Sequence, residues 1–343
     1  MAALGGTRLA RRPLPAAWIV AGLLLLLLVS TVLALGFGTV SLAPGQVVRA
    51  LVGLPVPATT ATIVLAIRLP RVVLAALVGS GLALSGAVLQ GVFRNPLADP
   101  GLIGVSAGGG FGAVLAIALG ISARGLWTLP LWALVGALLA SALVYLLATR
   151  YGRTPVLTLI LAGVAISALF GAGTTLLLTL SASTTDLQAM LGWLYGSLDG
   201  ALWRQNAVLA GFVLAGGAAM ALFARDLNLL AMGEDGAAAL GVPIETARRV
   251  LLCLAALVTG AAVAASGMIA FVGLIVPHIL RRLVGADHRA LLPASLVGGA
   301  AFVVLADLLA RLVARPAEIN LGVVTAVLGV PFFLYLLRRA KEG

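Results

Sequence analysis

Residues 250–280 run for 31 positions without an Asp, Glu, Lys or Arg. A helix needs about 20 predominantly apolar residues to cross the hydrocarbon core of a bilayer. As one helix the run would be about 46 Å long at ~1.5 Å per residue. The pair Ser266-Gly267 stands at its middle, so the run reads as two shorter helices meeting in a tight turn. No soluble domain carries such a segment easily, and the rest of the chain agrees: 62% of its 343 residues are hydrophobic and 10% are charged, against about 25% charged in soluble domains. The apolar runs are continuous, not alternating in the manner of an outer-membrane strand, which excludes a β-barrel. Cys253 is the only cysteine, and with only His278 and His288 beside it the chain has neither a disulfide framework nor the usual ligand set of a zinc site.

Uncharged stretches between successive ionisable residues give the remaining spans: 14–35, 72–93, 101–119, 126–148, 155–180, 206–223, the two halves of 250–280, then 290–313 and 320–337. Residues 181–185 form a polar loop, and Trp193, Tyr195 and Trp203 sit in the loop before the sixth span, aromatic types favoured at membrane interfaces. The basic start followed by leucines at 23–28 also has the layout of a signal peptide; it is expected to be retained as a helix, because no soluble domain follows it. The expectation is an all-α polytopic membrane protein of ten transmembrane helices, with both termini on one side. Cytoplasmic loops hold the excess of arginine and lysine. With N-in and C-in, that side receives 15 of 22 basic residues, among them Arg8, Arg11 and Arg12 in a cytoplasmic tail at 1–13. The outer side keeps Arg49, Arg68, Arg71, Arg124, Arg204, Arg311 and Arg315, more than the rule explains.

The only lysine is Lys341, followed by Glu342 and Gly343, so no GxxxxGK[ST] phosphate loop fits anywhere in these residues. If nucleotide energy drives the protein, another polypeptide binds the nucleotide. Between the second and third spans, RNPLADPGLIGVSAGGGFGA at 94–113 combines two prolines with a glycine series. Pro96 and Pro100 bias the residues before them away from helix, and small residues let membrane helices approach closely. The fragment also fits a loose GxGxx[GA] pattern, but it lacks the strand and βαβ unit that a dinucleotide site requires.

Several longer motifs occur in order: RLPR at 68–71, LSGAVLQGVFRNPLADPGLIG at 84–104, LILAGVA at 159–165, GMIAFVGLIVPHILRRLVGADHRALLP at 267–293 and AEINLGVVTAVLGVPFF at 317–333. Together they resemble the FecCD-type permeases, the membrane subunits of ABC importers for iron-siderophores, haem and cobalamin. The resemblance implies the type II permease fold of ABC importers, one transmembrane permease domain over 1–343, and a homodimer or its fused or heteromeric equivalent around a central pathway. Two cytoplasmic ATPase subunits, which hold ATP and Mg, and a periplasmic binding protein complete such an importer in the bacterial inner membrane. This chain would bind no cofactor or metal, perform no catalysis, contact lipid and bind no nucleic acid.

The resemblance also distributes roles. The segment 225–249 is similar to the family's paired coupling helices, with Met232, Gly233, Glu234, Ala239, Leu240 and Gly241 at the centre of an ATPase contact. Arg68, Arg71 and Arg311 match arginines that pair with glutamates of the binding protein, a task suited to guanidinium forks; Arg315 is a possible helper. An i,i+4 bond from Arg311 to Asp307 is the alternative. Asn95 and Leu97 match a cytoplasmic constriction in the cobalamin relatives. Where those relatives place small hydroxyl residues before LILAGVA, this chain has Val156 and Leu157, implying a more hydrophobic closure. Asp307, the one acid deep in an apolar run, reads first as the partner of Arg311 and second as a proton site. His278 reads as structural, ahead of a haem-ligand role. The implied activity is import of an iron chelate by alternating access. Haem is the first choice, because RNPLADPGLIG resembles haem-uptake permeases in particular; ferric siderophore or cobalamin is the alternative. An ion-coupled secondary transporter is the alternative of a different class.

Overall fold

The structure, a computed structural model, describes residues 15–38, 40–315 and 317–341. The expected tail at 1–13, with Arg8, Arg11 and Arg12, lies outside the described residues. The described residues run through fifteen α-helices: α1 (Ala16–Gly36), α2 (Pro44–Leu51), α3 (Ala58–Ala61), α4 (Leu69–Val92), α5 (Val105–Ala118), α6 (Thr128–Ala148), α7 (Val156–Leu180), α8 (Thr184–Leu194), α9 (Trp203–Leu222), α10 (Ala224–Ala231), α11 (Glu234–Ala239), α12 (Ile244–Ser266), α13 (Val272–Val284), α14 (His288–Leu312) and α15 (Leu321–Lys341). No strand occurs among the described residues. Backbone polar groups in hydrocarbon must be satisfied within the protein, which a helix does along its own length.

Each of the ten expected spans is helical, and seven helical stretches have the length and apolarity to cross a bilayer. α5 and the apolar part of α15 are shorter, as is the 13-residue α13. The run at 250–280 divides as its Ser-Gly pair suggests: α12 ends at Ser266, Gly267 takes φ +71° where a side chain would be strained, and α13 starts at Val272. Two boundaries differ from expectation. Helix begins at Ala58, well before residue 72, passing through a π-helical turn at Thr62–Arg68 into α4. Arg68 and Arg71 therefore lie within a 35-residue helical stretch and not in an outer loop. Trp193 is also not in a loop: residues from Thr184 form α8, where Ser183 accepts the Asp186 N–H as N-cap.

α4 is the buried axis, packed by α14, α12, α13 and α9; α5 joins α6 and α7 on the other side. The closest approaches need glycine. A Cβ on Gly79 would strike the Gly299 carbonyl of α14, and one on Gly86 would strike the Gly273 backbone of α13. α1 and α7 leave most of their surfaces uncovered, as does α15, whose Val327 is 66% exposed.

Gly86→Val is expected to lower the thermal unfolding midpoint in detergent, since overpacking costs about 1–3 kcal/mol. Gly22→Ala, where the new methyl meets nothing within 4 Å, should leave the midpoint unchanged in the same assay.

Candidate functional site

At one end of the bundle, the outer end on the arginine count, five charged side chains converge. Arg71 Nε donates to Asp307 Oδ1 at 2.9 Å, and Nη2 stands 2.9 Å from the same oxygen. Arg71 Nη1 reaches Asp199 at 2.6 Å and Glu318 at 2.9 Å. Asp307, with 1% of its side chain exposed, is shared with Arg311, whose Nε lies 3.0 Å from Oδ2. A carboxylate this deep is tolerated because two guanidiniums surround it. The i,i+4 alternative for Arg311 is thus what the fold adopts, and Asp307 has a second cation besides.

Arg311 and Arg68 also do something the sequence did not announce. α1 ends at Gly36, and the last carbonyls of a helix have no partners within it. Arg68 Nη1 donates to the carbonyls of Leu35 at 2.7 Å and Gly36 at 3.0 Å, and its Nη2 donates to that of Val40. Arg311 donates to those of Ala34 at 3.3 Å and Phe37 at 3.2 Å. Two positive side chains thus cap α1 where its dipole is negative. Arg68 and Arg311, read from the sequence as docking forks, are 5% and 4% exposed here, with guanidinium donors directed at carbonyls around the end of α1. Arg71 is similarly committed, to three carboxylates. Arg315 is exposed.

At the opposite end, the segment 225–249 holds α10 and α11, a helical pair with its own small core of Leu230, Ala237, Val242 and Ala247. Met232 and Leu240 point outward at 77% and 57% exposure, and Gly233 and Gly241 turn the chain at φ +118° and +85°. Ala239 ends α11. Glu234 faces inward, 2.7 Å from Arg248 Nη2 and 3.7 Å from Arg94 Nη2. Arg248, 3% exposed, also donates to Glu245 at 2.7 Å and to the Thr154 carbonyl at 3.0 Å. Arg94 directly precedes Asn95, and Thr154 lies two residues before Val156. One carboxylate of the coupling segment is therefore tied to both segments expected to form a constriction.

A second tie runs from α10. Asn228 Oδ1 accepts from the His288 backbone N–H at 2.9 Å and lies 2.8 Å from its Nδ1, while Nδ2 donates to Asp287 at 2.7 Å. Asp287 accepts the Arg289 N–H as N-cap of α14. That N–H and the Asn228 amide hold the Asp287 carboxyl below the usual carboxylate range. The His288 ring is fully buried, with Nε2 directed at Gly91 of α4.

In the 94–104 connection, Asn95 Oδ1 accepts the Leu97 N–H at 2.9 Å and Asp99 Oδ1 accepts that of Gly101 at 2.8 Å. Burial of Asp99 pushes its carboxyl pKa upward. Gln90, 2% exposed, spans the irregular region: its amide donates to the carbonyls of Gly273 at 3.3 Å and Leu274 at 3.2 Å. Pro277 in α13 lacks the N–H that would otherwise meet Gly273. Asn95 and Leu97 are half-buried, as is Val156, whereas Leu157 is 69% exposed on a face of α7 left uncovered by the described residues. His278 lies edge-on to Phe332 with ring centroids 5.9 Å apart. Among the described residues no cluster of three His, Cys, Asp or Glu could hold a metal.

The model of the FecCD transport family matches residues 25–339. A cobalamin import system permease protein of Halobacterium salinarum is 48% identical over 82% of this chain and 75% of its own length. A hemin transport system permease protein of Yersinia pestis is 44% identical over 80% and 83%. An achromobactin transport system permease protein of Dickeya dadantii is 42% identical over 93% and 90%. Among solved structures, an inward-facing conformation of an ABC transporter assigned to the metal-chelate type superposes with a TM-score of 0.82 at 37% identity, covering 94% of this chain and 99% of that one. A PsaBC structure from Streptococcus pneumoniae, at 21% identity and a TM-score of 0.53, shares the fold.

Removing the shared anion tests the outer cluster. Asp307→Asn leaves Arg311 buried beside a neutral amide, and breaking such a buried pair costs about 3–5 kcal/mol. The expected result is a much lower thermal midpoint, whereas Arg315→Gln on the exposed neighbour leaves it within error.

Proposed function

Because the chain belongs to the FecCD transport family, we propose that it is the permease subunit of an ATP-driven importer that moves a metal chelate across the cell membrane by alternating access, with haem as the cargo. A tetrapyrrole is favoured by RNPLADPGLIG at 94–104 and by the names of two relatives above 40% identity, one a hemin and one a cobalamin permease. The cobalamin relative, at 48% identity, makes a corrinoid the second reading.

The observation that carries the mechanism is the position of Glu234 between Arg248 and Arg94. In the proposed importer, Met232 and Leu240 are the exposed apolar contacts that enter the ATPase, with Gly233, Ala239 and Gly241 shaping the segment. When two ATPase chains close on ATP and Mg, α10 and α11 move. Arg248 and Arg94 pass that displacement to the start of α7 and to the 95–97 turn, so Asn95, Leu97, Val156 and Leu157 open or close the inner end of the pathway. No bond in the cargo is made or broken by this chain. The bare faces of α7 and α15 meet a second copy, and the pathway runs along the contact. Ten crossings with both termini in the cytoplasm place the coupling segment with the ATPase. The binding protein meets the opposite end, where Arg71 is the only one of the three predicted arginines with more than 10% of its side chain exposed. An inner bacterial membrane with a periplasm suits this arrangement.

Reconstituted vesicles test the reading. Haem uptake is expected only with the ATPase, ATP and the binding protein together; uptake that persists without ATP and collapses with a proton uncoupler would sink it in favour of an ion-coupled transporter.

Met232→Asp with Leu240→Asp should cut ATPase co-purification about tenfold or more, an apolar contact having been replaced by buried charge. Arg248→Gln should leave the ATPase bound and hydrolysing while uptake falls, with Arg248→Lys recovering part of it.

A further inference from the structure

α6 and α9 both pack on α12 but scarcely touch each other, and between them the surface of α12 is open along a groove. Its three sections join. A cavity of about 430 Å³ lies between α6 and α12, lined by Leu138, Tyr145, Leu252, Cys253 and Leu257. A second of about 420 Å³ shares Leu257 and continues along Val208 and Phe212 of α9. A third of about 230 Å³ shares those two residues and ends at Trp127 and Ala265. From Leu252 to Ala265 along α12 the groove is about 20 Å long at ~1.5 Å per residue, more than half of the ~30 Å hydrocarbon core. The lining is almost wholly apolar.

The end of the groove at the coupling-segment side is basic. Tyr145 forms its rim, and its hydroxyl accepts from Arg249 Nε at 2.9 Å. The loop after α6 adds the exposed Arg150 and Arg153. Glu245 lies four residues before Arg249 and attracts it, but its oxygens are hydrogen-bonded to Arg248 and to the Thr154 N–H, and among the described residues none of the three arginines forms a salt bridge. An apolar groove about two thirds as long as the hydrocarbon core is thick, with Arg249 at its rim and Arg150 and Arg153 in the loop that follows α6, is complementary to one chemistry: a phosphate diester attached to an acyl chain. Basic pockets between helices on this side of a membrane bind anionic headgroups.

We propose that this groove is a binding site for an anionic phospholipid, its acyl chain lying on α12 between α6 and α9 and its headgroup held by Arg249, Arg150 and Arg153. The lipid wedges two helices that do not brace each other, and it does so beside Thr154, where Arg248 grips the start of α7. This site is independent of the transport cargo.

Cys253, exposed in the groove, gives a direct test. The full chain is purified in mixed micelles with equal phosphatidylglycerol and phosphatidylcholine, and retained lipid is counted by native mass spectrometry. Phosphatidylglycerol should be retained over phosphatidylcholine by roughly five-fold or more, since each arginine near the headgroup contributes about that factor. Arg249→Gln should reduce the preference, and Cys253→Trp, which fills the groove from an exposed position, should displace the lipid while Cys253→Ser does not. Equal retention of the two lipids, or retention indifferent to both Arg249→Gln and Cys253→Trp, overturns the proposal. A short bis-maleimide that joins two chains through Cys253 also overturns it, because the groove would then hold a second copy.

Discussion

Every backbone N–H and carbonyl inside a bilayer needs a partner from the protein itself, and the irregular parts of this chain are built around that requirement. Helix α1 stops with its last carbonyls at the membrane edge, and the guanidiniums of Arg68 and Arg311 reach back to them. Pro277 interrupts the hydrogen bonding of α13, and the amide of Gln90 donates to the carbonyl left behind. These caps bring positive charge into a low-dielectric place, where it must be balanced. Asp307 supplies the counter-charge for Arg311, and Arg71 on the other side of the carboxylate recruits Asp199 and Glu318 in turn. Part of the excess of arginine at one end of the bundle thus goes to closing α1.

Close helix packing makes the same bundle stiff enough to transmit movement. α4 touches α13 and α14 through backbone, at Gly86 and Gly79, where no side chain could act as a compliant spacer. Against this rigid centre the coupling helices are attached by polar links of limited number: Glu234 to Arg248 and Arg94, and Asn228 to His288 and the cap of α14. These links join α10 and α11 to α7, α4 and α14 at specific residues, and in the proposed importer they are the route by which a displacement would travel. The lipid groove lies beside one of these links, where α12 is supported by α6 and α9 separately.

Much of this was legible in the chain. The uncharged runs locate the helices, Ser266-Gly267 marks the break between α12 and α13, and the motifs at 84–104 and 267–293 identify the family. The place of the helical pair α10 and α11 was legible because 225–249 is the only sizeable polar stretch between the expected spans. Less legible was which of two adjacent arginines is buried. Arg248 and Arg249 differ in the sequence by one position, yet a single step of about 100° around a helix puts one in the polar core and the other on the lipid-facing rim. Gln90, the one amide side chain in the stretch 84–93, was a signal available in the sequence and passed over. Asp199 and Glu318 gave none, since each sits in a loop and acquires its role only when three distant segments meet.

The sequence by itself determined that this chain lives in a bilayer as helices, that no GxxxxGK[ST] phosphate loop fits in these residues, and that the family is FecCD, because hydropathy, residue inventory and motif order are properties of the linear chain. Tertiary structure alone decided what the charged residues do. Arg68 and Arg311 became helix caps and Arg71 the centre of an ion-pair cluster because residues 35, 199, 307 and 318 are brought within a few ångströms of them by packing. A charge has no fixed role until its neighbours are known, since its energy in a membrane depends on distance and burial and not on its place in the chain.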